Sequence, residues 1–112
     1  MMDITRNEYG SGVAILRLVG KLNMVAATTL RDYIGVAVAE DQILLTLDLT
    51  RVDFLDSSGL GALINGLKTA RLAGGDLRII GPNEQVKLVL KLTNLNTLLI
   101  TVDSAEEAFT HA

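Results

Sequence analysis

The stretch Leu55-Asp56-Ser57-Ser58-Gly59-Leu60-Gly61 gathers the side chains best suited to chemistry in this sequence. It lies between an apolar run and a segment of helical periodicity. Two hydroxyls therefore face the first free backbone N–H groups of a helix, whose N-terminal end favours negative charge. A helix cap is the plain structural account, because Asp and Ser are preferred N-cap types. Gly59, Gly61 and Gly66 complicate it, since each costs about 1 kcal/mol relative to alanine within a helix. Bare backbone at these positions admits close approach, either by another element of the same domain or by another protein.

Other chemistries find less support. Neither Gly-x-x-x-x-Gly-Lys-Ser/Thr nor Gly-x-Gly-x-x-Gly occurs, and no lysine stands beside the serines, which argues against a nucleotide site. A serine nucleophile needs a base within hydrogen-bond reach, and Asp56 beside Ser57 does not replace a histidine. The sequence has no cysteine and one histidine, His111, next to its end. Disulfides, thiolate chemistry, thiolate zinc sites and multi-histidine metal sites are thereby set aside, and no catalytic residue, metal or cofactor is expected. With 10 basic and 13 acidic residues the net charge is −3, which offers no electropositive surface for nucleic acid. No segment reads as a leader or as a membrane span, so the expectation is a cytoplasmic protein without membrane insertion.

The elements that must position the serines follow from periodicity. A length of 112 residues with 49% apolar side chains suits one domain, residues 1–112, with a core of Leu, Val, Ile and Ala. Residues 12–20 read as a strand paired with an opening strand near 2–8, through a turn at Tyr9-Gly10-Ser11-Gly12. Ala26, Leu30, Ile34 and Ala37/Val38 follow the helical period over 24–39, with Asn23 as N-cap. Residues 43–49 form a short, continuously apolar strand expected at the centre of the sheet, followed by a loop over 50–56. Leu60, Leu63, Ile64, Leu67 and Ala70 mark a second helix that starts at Asp56-Ser57-Ser58 and stops at Ala73-Gly74-Gly75. A strand at 76–80, a break at Pro82-Asn83, a helix over 84–92 with Val86 and Val89/Leu90 inward, and a strand over 97–102 come next. Ser104 and Glu107 form a capping box for a last helix. The fold class is α/β, a mixed central sheet of about five strands with about four α-helices. Lys68, Arg71 and Arg78 read as solvated or paired with acids. Asp48 is placed either at an exposed strand end or in support of the loop at 50–56.

These residues carry a resemblance. Asp56-Ser57-Ser58-Gly59-Leu60-Gly61 after a hydrophobic strand resembles the hallmark of bacterial anti-sigma factor antagonists, which have the STAS fold. Leu18-Val19-Gly20-Lys21-Leu22, Ala73-Gly74-Gly75, Pro82 with its apolar helix, Leu92-Thr93-Asn94-Leu95 and Ser104-Ala105-Glu106-Glu107-Ala108 match in order, over nearly the whole chain.

The resemblance implies a phosphorylation switch. The serine directly after the aspartate, here Ser57, would be phosphorylated by an anti-sigma factor serine kinase and restored by a metal-dependent serine phosphatase, with Ser58 as second choice. The unphosphorylated protein would bind the anti-sigma factor and free the sigma factor. Asn23, Asp56, Ser57, Ser58, Gly59, Leu60 and Gly61 would form the partner surface. Two departures stand out. Asn23-Met24 replaces the acidic residue the family often carries there, keeping a capping oxygen and losing the charge. Asn94 stands where the family usually shows glycine, and asparagine also tolerates left-handed backbone. The competing readings are a STAS interaction or scaffold module not controlled by phosphorylation and, more remotely, a small-ligand or lipid carrier on the same fold.

Overall fold

The structure is a computed structural model that describes residues 2–8, 12–104 and 109. Within them lie β1 (Asp3–Glu8), β2 (Val13–Leu22), α1 (Met24–Ala39), β3 (Leu44–Leu55), α2 (Ser57–Leu72), β4 (Asp76–Ile80), α3 (Glu84–Leu92), a 3-10 turn (Leu95–Thr97) and β5 (Ile100–Val102). The five strands stand in chain order across one sheet, antiparallel between β1 and β2 and parallel thereafter. This is the expected mixed α/β sheet with β3 at its centre. It carries three α-helices among the described residues, rather than about four. The expected last helix, opening after Ser104, falls mostly outside the described residues, as does most of the turn at 9–12.

Strand alternation sends one set of side chains toward the helices. Ala14, Leu16 and Leu18 of β2, Leu45, Leu47 and Leu49 of β3, and Leu77 and Ile79 of β4 join Ala26, Leu30 and Ile34 of α1, Leu63 and Leu67 of α2, and Val86 and Leu90 of α3 in one core cluster. Each leucine fully buried there contributes roughly 2–3 kcal/mol. On the opposite face Ile15, Thr46 and Ile80 are also buried, and the Arg78 guanidinium lies 4.8 Å from the centre of the Phe109 ring. Val86 and Leu90 are the buried positions of α3, and Val89, half-buried, packs against the same core, as expected.

Two expectations change. The segment expected as a loop at 50–56 is strand through Leu55. Its pairing with β2 shifts register between Arg17 and Val19 and again between Gly20 and Lys21, where β3 carries an extra residue each time. These bulges space the buried residues of β3 as Leu49, Val52 and Leu55, breaking the period of two by which a strand is recognised. The strand expected over 97–102 is shorter, because residues 95–97 wind into a 3-10 turn closed by Leu98 N–H to Leu95 O at 3.1 Å and Leu99 N–H to Leu95 O at 2.9 Å. Before that turn Asn94 adopts φ 58°, the left-handed conformation that makes asparagine a fit substitute for glycine.

Candidate functional site

The serines sit at the carboxyl ends of the parallel strands, where open α/β sheets leave room for ligands and partners. Leu22 and Leu55 are the last paired residues of β2 and β3. Each is followed by an N-cap: Asn23 Oδ1 accepts from Ala26 N–H at 3.2 Å and starts α1, and Asp56 Oδ1 accepts from Gly59 N–H at 2.9 Å and starts α2. Ser57 is the first residue of α2 and is exposed, while Ser58 is half-buried. One oxygen of the Asp56 carboxylate is thus engaged in capping the helix that Ser57 opens.

The glycines divide by role. A β-carbon on Gly59 would lie 2.2 Å from Leu22 O and 2.8 Å from side-chain atoms of Leu22 and Leu55, so this glycine lets α2 start hard against the end of β2. A β-carbon on Gly66 would lie 2.6 Å from Ile34 Cδ1, so this glycine makes room for α1 where it packs on α2. Gly61 is different. Its β-carbon would meet nothing closer than Arg31 Nη2 at 3.5 Å, an ordinary contact. Packing inside the domain accounts for Gly59 and Gly66 and leaves Gly61 bare.

Gly61 lies in a surface groove of about 480 Å³ that also takes in Ser57, Leu60, Ile64, Lys68 of α2 and Arg31 of α1. Ser57, Gly61, Ile64 and Lys68 follow one another by four, three and four residues, which places them on one face of the helix. Of the residues expected at the site, the groove unites Ser57, Leu60 and Gly61. Asn23, Asp56 and Ser58 are not part of its lining, the first two serving as caps, and Gly59 is buried against Leu22 and Leu55. Among the described residues no group of three His, Cys, Asp or Glu side chains could hold a metal. No helix among them is long and apolar enough to cross a membrane.

Several residues here escaped the sequence reading. Met24 and Val25, in the first turn of α1, are 69% and 73% exposed. They are apolar residues off the inward stripe of Ala26, Leu30 and Ile34, and that displacement was a legible signal. Lys68 faces solvent as expected, but as part of a stripe that begins at Ser57. Arg71 and Arg78 do pair with an acid, Asp76, at 3.3 and 3.4 Å. Asp48 lies within β3, where Oδ1 accepts from Thr50 N–H at 3.0 Å and from the Thr50 hydroxyl at 2.6 Å. Gln85 and Asn83, at the start of α3, bond the backbone of Leu55 and Val52, which no local pattern announces.

A mixed sheet with an Asp-Ser-Ser helix start at its parallel strand ends has a counterpart among known families. The STAS domain family matches residues 6–108, and the chain belongs to it. An anti-sigma F factor antagonist from Paenibacillus polymyxa is 29% identical over 104 residues, covering 92% of this chain and 89% of that one. A Thermotoga maritima protein assigned to the anti-sigma factor antagonists is 40% identical over 62 residues, and the match spans 55% of each chain, about half the length of that relative. The solved anti-sigma factor antagonist SpoIIAA in its unphosphorylated form shares the fold with a TM-score of 0.82 at 21% identity, over 96% of this chain and 93% of that one.

Proposed function

We propose that the chain acts as an anti-sigma factor antagonist, a cytoplasmic regulatory binding protein and not an enzyme, built as one STAS domain over residues 1–112. In the unphosphorylated state it binds an anti-sigma factor serine kinase and so frees the sigma factor. Phosphorylation of Ser57 by that kinase ends the complex, and a metal-dependent serine phosphatase restores it. Ser58, half-buried, is the second choice as acceptor. The observation that carries this reading is the exposed Ser57 at the first position of α2, one turn from the bare backbone of Gly61 in the same groove. Asn23, Asp56, Ser57, Ser58, Leu60 and Gly61 are the proposed partner surface, to which the exposed Met24 and Val25 add apolar area, whereas Gly59, expected there too, is buried against Leu22 and Leu55 and offers a partner nothing. Names of relatives point the same way, and SpoIIAA, a fold neighbour, has been solved phosphorylated as well as unphosphorylated.

Phosphate at this position suits the fold and alters its surface. A phosphoserine adds about −1.5 to −2 charge, and a helix N-terminus favours an anion through its free N–H groups. The cost therefore falls on the partner interface, where new charge appears beside Asp56. Incubation with ATP and the anti-sigma kinase of the same organism should add one phosphate, mapped to Ser57 by peptide mass spectrometry. Ser57→Ala should remain bound to the kinase in the presence of ATP. Phosphate on another residue, or none with a kinase that demonstrably binds, rejects the assignment.

One observation favours the second reading, an interaction module without phosphorylation: Asn23 supplies a cap but no carboxylate beside the Ser57 helix start. That reading predicts partner capture from native lysate that is equal for wild type and Ser57→Asp.

A further inference from the structure

Strand β3 outruns its neighbour. Its pairing with β4 ends where Asp48 faces Ile80, whereas its pairing with β2 continues until Leu55 faces Leu22. At Gly81, with φ 60°, the chain turns away so close to Thr50 that a β-carbon would lie 2.2 Å from Thr50 Cγ2. Pro82 then has no N–H to offer a ladder. The outer half of β3 is left with no strand on its β4 side.

Two carboxamides at the start of α3 take the place of that strand. Asn83 Nδ2 donates to Val52 O at 3.1 Å, while its Oδ1 accepts from Val86 N–H at 2.9 Å and caps the helix. Gln85 does more. Its Nε2 donates to Leu55 O at 3.1 Å and its Oε1 accepts from Leu55 N–H at 3.1 Å, across 30 residues of sequence. One side chain thus satisfies both backbone groups of one residue, as the opposing residue of a hydrogen-bonded strand pair does. Leu55 directly precedes Asp56, the cap of α2. On its other side Asp56 N–H donates to Leu22 O at 3.4 Å, so β2 and α3 hold this turn from opposite sides.

We infer that Gln85 is a positioning residue for Ser57: its carboxamide clamps Leu55 and so fixes the direction in which β3 delivers the start of α2. This rests on reading Ser57 as the phosphate acceptor, and it adds α3 to the switch as a support that touches neither the serine nor the groove. Phosphoryl transfer demands an aligned hydroxyl far more than partner binding does, so loosening the clamp should lower rate before affinity.

The test uses the full chain with Gln85→Met, which keeps the length and packing of the side chain and loses both hydrogen bonds. Gln85→Glu, which keeps an acceptor and loses the donor, is the second variant should the first fold poorly by circular dichroism. Amide hydrogen exchange followed by NMR should show Leu55 exchanging about tenfold faster or more in Gln85→Met, with Leu45 and Leu47 unchanged, since only local opening is promoted. With the anti-sigma kinase at saturation, phosphate incorporation at Ser57 should fall about tenfold while the Kd changes by less than about threefold. Unchanged exchange at Leu55 overturns the clamp. Faster exchange with an unchanged phosphorylation rate overturns the positioning role and leaves Ser57 as acceptor. Wild-type protein that binds the kinase and takes no phosphate overturns the Ser57 reading and with it the positioning role, while faster Leu55 exchange in Gln85→Met still upholds the clamp itself.

Discussion

Asn23 and Asp56 stand in equivalent places: each follows one member of the Leu22–Leu55 strand pair, and each caps a helix by accepting the N–H three residues on. The starts of α1 and α2 are therefore held side by side at the same end of the sheet. A charge at either cap acts on a surface that both helices share. In this chain only one of the two caps is an acid.

Asp56 combines a hydrogen bond with a charge, and two substitutions separate them. Asp56→Ala removes the bond to Gly59 N–H and should cost about 1 kcal/mol of stability. Asp56→Asn keeps a capping oxygen and should stay within about 0.5 kcal/mol in urea unfolding. If partner affinity falls in Asp56→Asn while stability holds, the carboxylate contributes to recognition as a charge. If affinity tracks stability in both variants, Asp56 serves recognition only through the cap.

The glycines of α2 give opposite expectations for one kind of substitution. Gly59→Ala drives a methyl into Leu22 O and the Leu22 and Leu55 side chains and should destabilise by about 1–3 kcal/mol. Gly61→Ala meets only the far end of Arg31 and gains helix propensity, so it should be neutral or stabilising by up to about 1 kcal/mol. The same Gly61→Ala should weaken partner binding, because a methyl fills the groove beside Ser57. Unaltered affinity in a stable Gly61→Ala protein would remove that glycine from the partner surface.

Most of this architecture is readable from periodicity because its helices and inner strands are regular. The bounds of α1, β4 and α3 coincide with the expected 24–39, 76–80 and 84–92, since Asn23, Gly74-Gly75 and Pro82-Asn83 are strong local punctuation. The outer half of β3 was hidden by its two bulges, which turn a period of two into a period of three. At the site, the caps Asn23 and Asp56 could be read from residue type. Which glycine packs and which stays bare could not, because Gly59 and Gly61 differ only in what the tertiary fold brings against them. The Gln85 clamp was invisible for the same reason: it joins residues 30 apart and has no pattern of its own.

Charge at Ser57 should leave the fold intact. The Ser57→Asp side chain is exposed at a helix start, where an acidic group is favoured by about 0.3–1 kcal/mol, partly offset here by Asp56 next to it. Its circular dichroism spectrum should be near native and its Tm within about 4 °C of wild type. Affinity for the anti-sigma factor should nevertheless fall. A marked loss of Tm would mean that charge acts by unfolding the helix start, and the interface mechanism would have to be abandoned.

Asn23 caps α1 without carrying a charge, and the geometry makes the effect of a carboxylate there testable without disturbing the cap. Asn23→Asp retains an oxygen for Ala26 N–H and adds a negative charge next to the start of α2, so stability should change little or rise slightly. If the missing carboxylate limits phosphoryl transfer, by failing to orient the Ser57 hydroxyl or to complement charges on the kinase, Asn23→Asp should raise the phosphorylation rate. Affinity of the unmodified protein should change less, because a single rim charge is worth about 0–1 kcal/mol whereas a misaligned nucleophile loses rate steeply. An unchanged rate would show that this kinase pair works without the acid. A lower rate would mean that asparagine is matched to an acidic patch on the kinase, and substituting basic residues into that patch should then restore the rate in Asn23→Asp.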